Sequence, residues 1–162
     1  MGKAFKFGDN IDTDLIVPGK YLSLSEPEEL AMVCMEGIEF EFAKKIQRGD
    51  VFVAGKNFGS GSSREHAPIS IKAAGVDCII AESFARIFYR NAINIGLSLL
   101  ESKEASKSID EGDAVTVNYK DGFIKNETKN ETYHFAPYSQ SILDIINAGG
   151  YKAYIKNQKN KF

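Results

Sequence analysis

The chain has 162 residues, 43% of them hydrophobic and 26% charged, enough for one domain with a sizeable core. A formal net charge of −2 gives no basis for a nucleic-acid partner, and no apolar run approaches the roughly 20 residues of a membrane span. Residues 1–7 lack the apolar segment of a secretion signal, so a cytoplasmic location is the expectation.

Residues 3–7 alternate polar and apolar side chains and read as a first strand. Gly8 to Asp14 is turn-rich and acidic, suited to an Asx turn or a helix cap. After a turn at Pro18-Gly19-Lys20, Ser25-x-x-Glu28 matches a capping box. The short helix it opens would turn Leu30, Val33 and Cys34 inward and stop near Gly37. Residues 40–46 read as a further helical segment, and Arg48-Gly49-Asp50 as a turn.

Two apolar runs, at residues 51–54 and 76–81, read as buried strands. A helix over residues 68–74, ended by Gly75, joins them, and strand–helix–strand predicts a parallel pair. Residues 84–95 predict a helix with Ala85, Phe88, Ala92 and Ile95 on one face, leaving Arg86 and Arg90 toward the surface or a partner. Residues 97–100 are one more strand. Beyond them, residues 114–119, the turn Lys120-Asp121-Gly122 and the return at Phe123 form a hairpin, with another strand over 132–135. A last helix over 139–148 turns Ile142, Ile145 and Ile146 inward. The fold class is α/β: one domain over residues 1–151 with a mixed, partly parallel sheet, flanking helices and a C-terminal β-hairpin region. Residues 152–162, basic and polar, are expected to fray.

Cys34 and Cys78 each sit in an apolar segment and read as core residues outside any metal-ligand spacing. Iron–sulfur clusters are usually held by more thiolates than this chain has. Asn126-Glu127-Thr128 and Asn130-Glu131-Thr132 match glycosylation acceptors but read as polar turn sequence.

The stretch with the most chemistry is Asn57-Phe58-Gly59-Ser60-Gly61-Ser62-Ser63-Arg64-Glu65-His66-Ala67-Pro68. It lies between a buried strand and a helix start, where unpaired backbone N–H groups can face an anion. Gly59 and Gly61, flanking Ser60, allow a tight bend and close backbone approach to a ligand. Ser62 and Ser63 add hydroxyls, and Arg64 a fork that matches a carboxylate. The structural alternative is that Ser62-x-x-Glu65 is a capping box and Pro68 a first-turn residue. A P-loop needs a Lys followed by Ser or Thr after the last Gly, which is absent, as is the GxGxxG spacing.

Asn57 to Pro68, followed by Ala81-Glu82-Ser83-Phe84-Ala85-Arg86-Ile87-Phe88, resembles the signature of the aconitase family's swivelling domain. Asp12-Thr13-Asp14-Leu15-Ile16-Val17-Pro18 resembles another block of that family, and the likeness spans roughly residues 1–151. It implies a standalone small subunit of a hydro-lyase that isomerises a hydroxy-dicarboxylic acid by dehydration and rehydration. It also implies that the chain binds no cofactor itself and acts with a large subunit carrying a 4Fe–4S cluster. By the same resemblance Ser62 is the catalytic base and Asp14 a catalytic or orienting group, while Ser63 and Arg64 bind substrate carboxylate. Leu22, Ser23 and Leu24 match the family's specificity loop, where relatives that accept tricarboxylates place an arginine. This chain has none between Asp14 and Arg48, which favours isopropylmalate over citrate or homocitrate, with dimethylmalate a further alternative.

Overall fold

The fold is known from a computed structural model that describes residues 1–161; Phe162, the end of the expected tail, lies outside the described residues. Strands β1 (Gly2–Lys6), β2 (Val51–Ala54), β3 (Cys78–Ala81) and β4 (Ser98–Glu101) are parallel. From the other edge of β1 the sheet continues antiparallel through β5 (Ala114–Asn118), β6 (Phe123–Asn126) and β7 (Glu131–His134), in the order β4-β3-β2-β1-β5-β6-β7. The expected mixed sheet is therefore present, with the hairpin region extended to a three-stranded meander.

Register explains why the parallel strands read as unbroken apolar runs. Phe5, Phe52, Ile79 and Leu99 are aligned across the four strands, and their side chains leave on one face. They pack against Leu30 and Val33 of α2 (Pro27–Met32) and its C-terminal turn, Ile71 of α3 (His66–Ala73), and Phe88 and Ala92 of α4 (Arg86–Asn94). Their neighbours Val51, Val53, Cys78, Ile80 and Leu100 occupy the opposite face. That face is covered by Ala105 of α5 (Lys103–Ser108) and by Val115, Ile124 and Tyr133 of the antiparallel strands, so the sheet curls over its own second core. Strands covered on both faces carry no polar alternation. No helix among the described residues is long and apolar enough to cross a membrane.

Several local expectations change. Helix α3 starts at His66, two residues before Pro68, and its N-cap Glu65 makes no side-chain cap bond. The Ser62-x-x-Glu65 capping box does not form: Glu65 already has helical angles (φ −64°, ψ −25°), so Ser62 lies too far upstream to cap. Pro68 becomes the third helical residue, where its missing N–H still has no intrahelical partner to lose. Ser25 likewise caps nothing, because α2 opens on Pro27 behind Glu26. Residues 40–46 contain only a 3-10 turn, Phe42–Lys45, and α5 was not anticipated. The tail is helical rather than frayed: α7 (Tyr151–Lys159) follows α6 (Gln140–Asn147) and packs against α4 and α6, half-burying Ala153, Tyr154 and Ile155. Asn126 is not in a turn but fully buried in β6, its amide donating to Asp113 Oδ2 at 2.7 Å.

Candidate functional site

The loops after β1, β2 and β3 leave the same end of the parallel sheet, the end where open α/β sheets bind ligands. Backbone pairing stitches the three together. On one side Gly59 N–H donates to Ile11 O (2.7 Å) and Thr13 N–H to Ser60 O (2.9 Å). On the other, Phe58 N–H donates to Ser83 O (3.1 Å) and Ala85 N–H to Phe58 O (2.9 Å). Thr13, buried at the start of α1 (Thr13–Ile16), donates its hydroxyl to Ser62 O at 2.8 Å and so pins the backbone of that serine. Asp12, as expected of an acidic cap, accepts from Leu15 N–H at 2.9 Å and closes the N-terminus of α1.

Gly59 and Gly61 have φ of +85° and +88°, a region that disfavours any side chain with a Cβ. At Gly59 the need is also steric: a Cβ there would lie 2.1 Å from Cγ of the buried Phe88. The glycine loop thus rests directly on the first turns of α4. Beyond it the backbone accepts hydrogen bonds, at Ser62 O from Thr13 and at Arg64 O from Ala67 N–H, but donates none. Among the described residues the backbone N–H groups of Gly61, Ser62, Ser63 and Arg64 donate to no protein acceptor. Four unspent donors in succession are what an anion cradle requires.

Ser62 and Ser63 are exposed and line a cavity of about 300 Å³ with Thr13, Asn57, Gly59, Arg64 and the first residues of α4. Arg64 is mostly enclosed, its side chain 18% exposed, while that of Asp14 is 65% exposed. One guanidinium nitrogen, Nη1, donates to Asp14 Oδ1 at 2.9 Å and to Val17 O at 3.0 Å. Gly19 N–H donates to the same Asp14 oxygen at 3.0 Å. The Arg64 hydrogen bond, helped by that of Gly19, holds the Asp14 carboxyl below the usual carboxylate range, so it is ionised at neutral pH.

The expected residues are only partly gathered. Gly59, Gly61, Ser62, Ser63 and Arg64 line the cavity; Ser60, within the loop, and Asp14 border it through their bonds. Leu22 and Ser23 are exposed and Leu24 is half-buried against the main core, and none of the three lines the cavity. Their stretch is tied to the site only through Gly19. Arg86, read from sequence as facing the surface or a partner, is exposed and also lines it, together with Ile87. The signal that could have found it is the Ser83-Phe84-Ala85-Arg86 block itself, a turn and helix start next to the glycine loop. Among the described residues no group of three or more His, Cys, Asp or Glu side chains is placed to hold a metal ion. The two thiols do not fit an iron–sulfur cluster: both are free and fully buried, and burial pushes Cys34 up to about 12 and Cys78 upward too, away from the thiolate a cluster binds.

Three paired loops at one end of the sheet carry a glycine–serine–arginine loop, and residues 35–105, which include it, match the family model described as Aconitase C-terminal domain. The chain is 55% identical over 156 residues to the 3-isopropylmalate dehydratase small subunit of Ruminiclostridium cellulolyticum, covering 96% of each chain. It is 57% identical over 155 residues to that of Halothermothrix orenii, covering 96% of this chain and 94% of the relative. The crystal structure of 3-isopropylmalate dehydratase from Methanocaldococcus jannaschii superposes with a TM-score of 0.92 at 47% identity, over 98% of this chain and 93% of that one. The chain belongs to the 3-isopropylmalate dehydratase small-subunit family.

Proposed function

We propose that this chain is the small subunit of a leucine-pathway hydro-lyase that interconverts 2-isopropylmalate and 3-isopropylmalate, active only with a large subunit that carries a 4Fe–4S cluster. Identity above one half along nearly the whole chain supports the activity. The observation that carries the mechanism is Ser62, exposed in a cavity beside four unspent backbone N–H groups. A cytoplasmic location accords with a biosynthetic role.

The reaction removes a proton from the carbon beside a carboxylate and hydroxide from the adjacent carbon, forming a double bond; water then adds back with the opposite regiochemistry. When bound, the partner's metal centre supplies a Lewis acid for the hydroxyl group. This chain supplies the base. A serine hydroxyl is a poor base near neutral pH, and its alkoxide needs donors fixed before the reaction begins. The N–H groups of residues 61–64 and the Arg64 guanidinium are those donors. The Ser62 alkoxide takes the carbon-bound proton as a new O–H bond and returns it in the reverse direction.

Arg64 uses Nη1 on Asp14 and Val17, which leaves its Nη2 and Nε edge to grip one substrate carboxylate, with Ser63 assisting. Asp14, ionised and clamped, orients that arginine rather than carrying a proton. Leu22, exposed outside the cavity on the segment anchored by Gly19, is the apolar side chain of the Leu22-Ser23-Leu24 loop that would meet the isopropyl group once the large subunit closes the site. The test is Ser62→Ala mixed with a cognate large subunit. Turnover is expected to vanish while the heteromer still forms in analytical ultracentrifugation; turnover near the wild-type rate would remove Ser62 from the chemistry.

A further inference from the structure

A dicarboxylate substrate has two anionic ends, and Arg64 answers one of them. The first turn of α4 holds a second cation at the same cavity. Arg86 is the first residue of that helix and lines the cavity with Ser62, Ser63 and Arg64. Its placement is firm at both ends. Ala85 N–H is bonded to Phe58 O, and Phe88, two residues on, is buried against Gly59. The helix start therefore cannot drift from the glycine loop without breaking a backbone bond and a core contact.

The side chain itself is uncommitted. Arg86 is exposed, and among the described residues it makes no ion pair or side-chain hydrogen bond. Glu82, the acid closest in sequence, faces Lys103 at 3.9 Å. Glu101 shares a neighbouring cavity with Arg86 and Arg90 but pairs with neither. The cavity around Ser62 is lined by two arginines and no carboxylate; Asp14 reaches its border on Arg64, which leaves Arg86 as the cation there that no acid pairs.

We propose that Arg86 binds the second carboxylate of the substrate, with Arg64 on the first, so that the dicarboxylate is held across the cavity with its proton-bearing carbon toward Ser62. This rests on the reading of the cavity as the dehydratase site. A guanidinium is suited to the task, because it stays charged and offers paired donors to a carboxylate. Its contribution is to substrate capture and alignment rather than to proton transfer.

The experiment reconstitutes wild type, Arg86→Gln, Arg86→Lys and, as a surface control one turn away, Arg90→Gln with the cognate large subunit. Small-subunit titration gives the assembly Kd, and steady-state kinetics on isopropylmalate give KM and kcat separately. Arg86→Gln is expected to raise KM at least tenfold with assembly unchanged, and Arg86→Lys to recover part of the loss. It should also weaken a dicarboxylate inhibitor more than its monocarboxylate analogue, with Arg90→Gln behaving as wild type. An unchanged KM in a normally assembled enzyme overturns the proposal, as does a defect confined to assembly Kd. An inactive wild-type pair would instead reject the isopropylmalate reading, which keeps the two failures apart.

Discussion

Gly59 is the position where the site's geometry makes its most quantitative demand. In Gly59→Ala the new Cβ would sit 2.1 Å from Phe88 Cγ and 2.4 Å from its Cβ, at a backbone φ of +85°. The left-handed conformation costs a non-glycine residue about 1–2 kcal/mol. Forcing a methyl into a packed core adds about 1–3 kcal/mol, and Phe88 has no space to yield because it is only 3% exposed. The total is roughly 2–5 kcal/mol, a large part of the 5–15 kcal/mol that stabilises an ordinary domain. Gly61 separates the two contributions. Its φ is +88°, but a Cβ there first meets Asp12 Cβ at 3.4 Å, an ordinary contact. Gly61→Ala should therefore cost only about 1–2 kcal/mol. Urea unfolding of both variants measures the gap, and trimming the ring with Phe88→Leu in the Gly59→Ala background should recover part of the excess. Equal losses for the two glycine variants would refute the claim that the loop is seated on Phe88.

Asp14→Asn should lower the urea midpoint at pH 6, and the difference from wild type should close in acid. The folded carboxyl lies below its ordinary value of 3.8, so its contribution is present above that pH and lost as pH falls through the lower folded value. A gap that stays constant from pH 6 down to pH 3 would break the link to the Arg64 pair. At the sheet edge, the Tyr138 hydroxyl accepts from Leu99 N–H (2.8 Å) and donates to Leu99 O, serving both backbone groups of that residue of β4. Tyr138→Phe leaves them unpaired at a residue 1% exposed, for a loss of about 1–3 kcal/mol and faster exchange of the Leu99 amide; a loss inside the error of the unfolding curve would contradict that role.

Local signals carried much of the architecture and the identity of the key loop. The strands Val51–Ala54 and Cys78–Ala81 were legible because four successive apolar residues buried on both faces leave a continuous run. The turn before Phe123 and the positive-φ glycines were legible because their conformations restrict residue type at the position itself. Capping was misread at Ser25 and Ser62, because the tetrapeptide pattern does not say at which residue the helix actually turns. Helix α7 was missed because its stability comes from α4 and α6, not from its own polar, basic composition.

From sequence alone one could name the α/β class and the glycine–serine–arginine loop as a turn suited to an anion, since each rests on neighbouring residues, while the family came from the resemblance of whole blocks. The clamp of Arg64 by Asp14, fifty residues away, and the arrival of Arg86 at the wall that holds Ser62 needed the folded chain. Those contacts join loops after three different strands, and only the register of the parallel sheet brings them to one end.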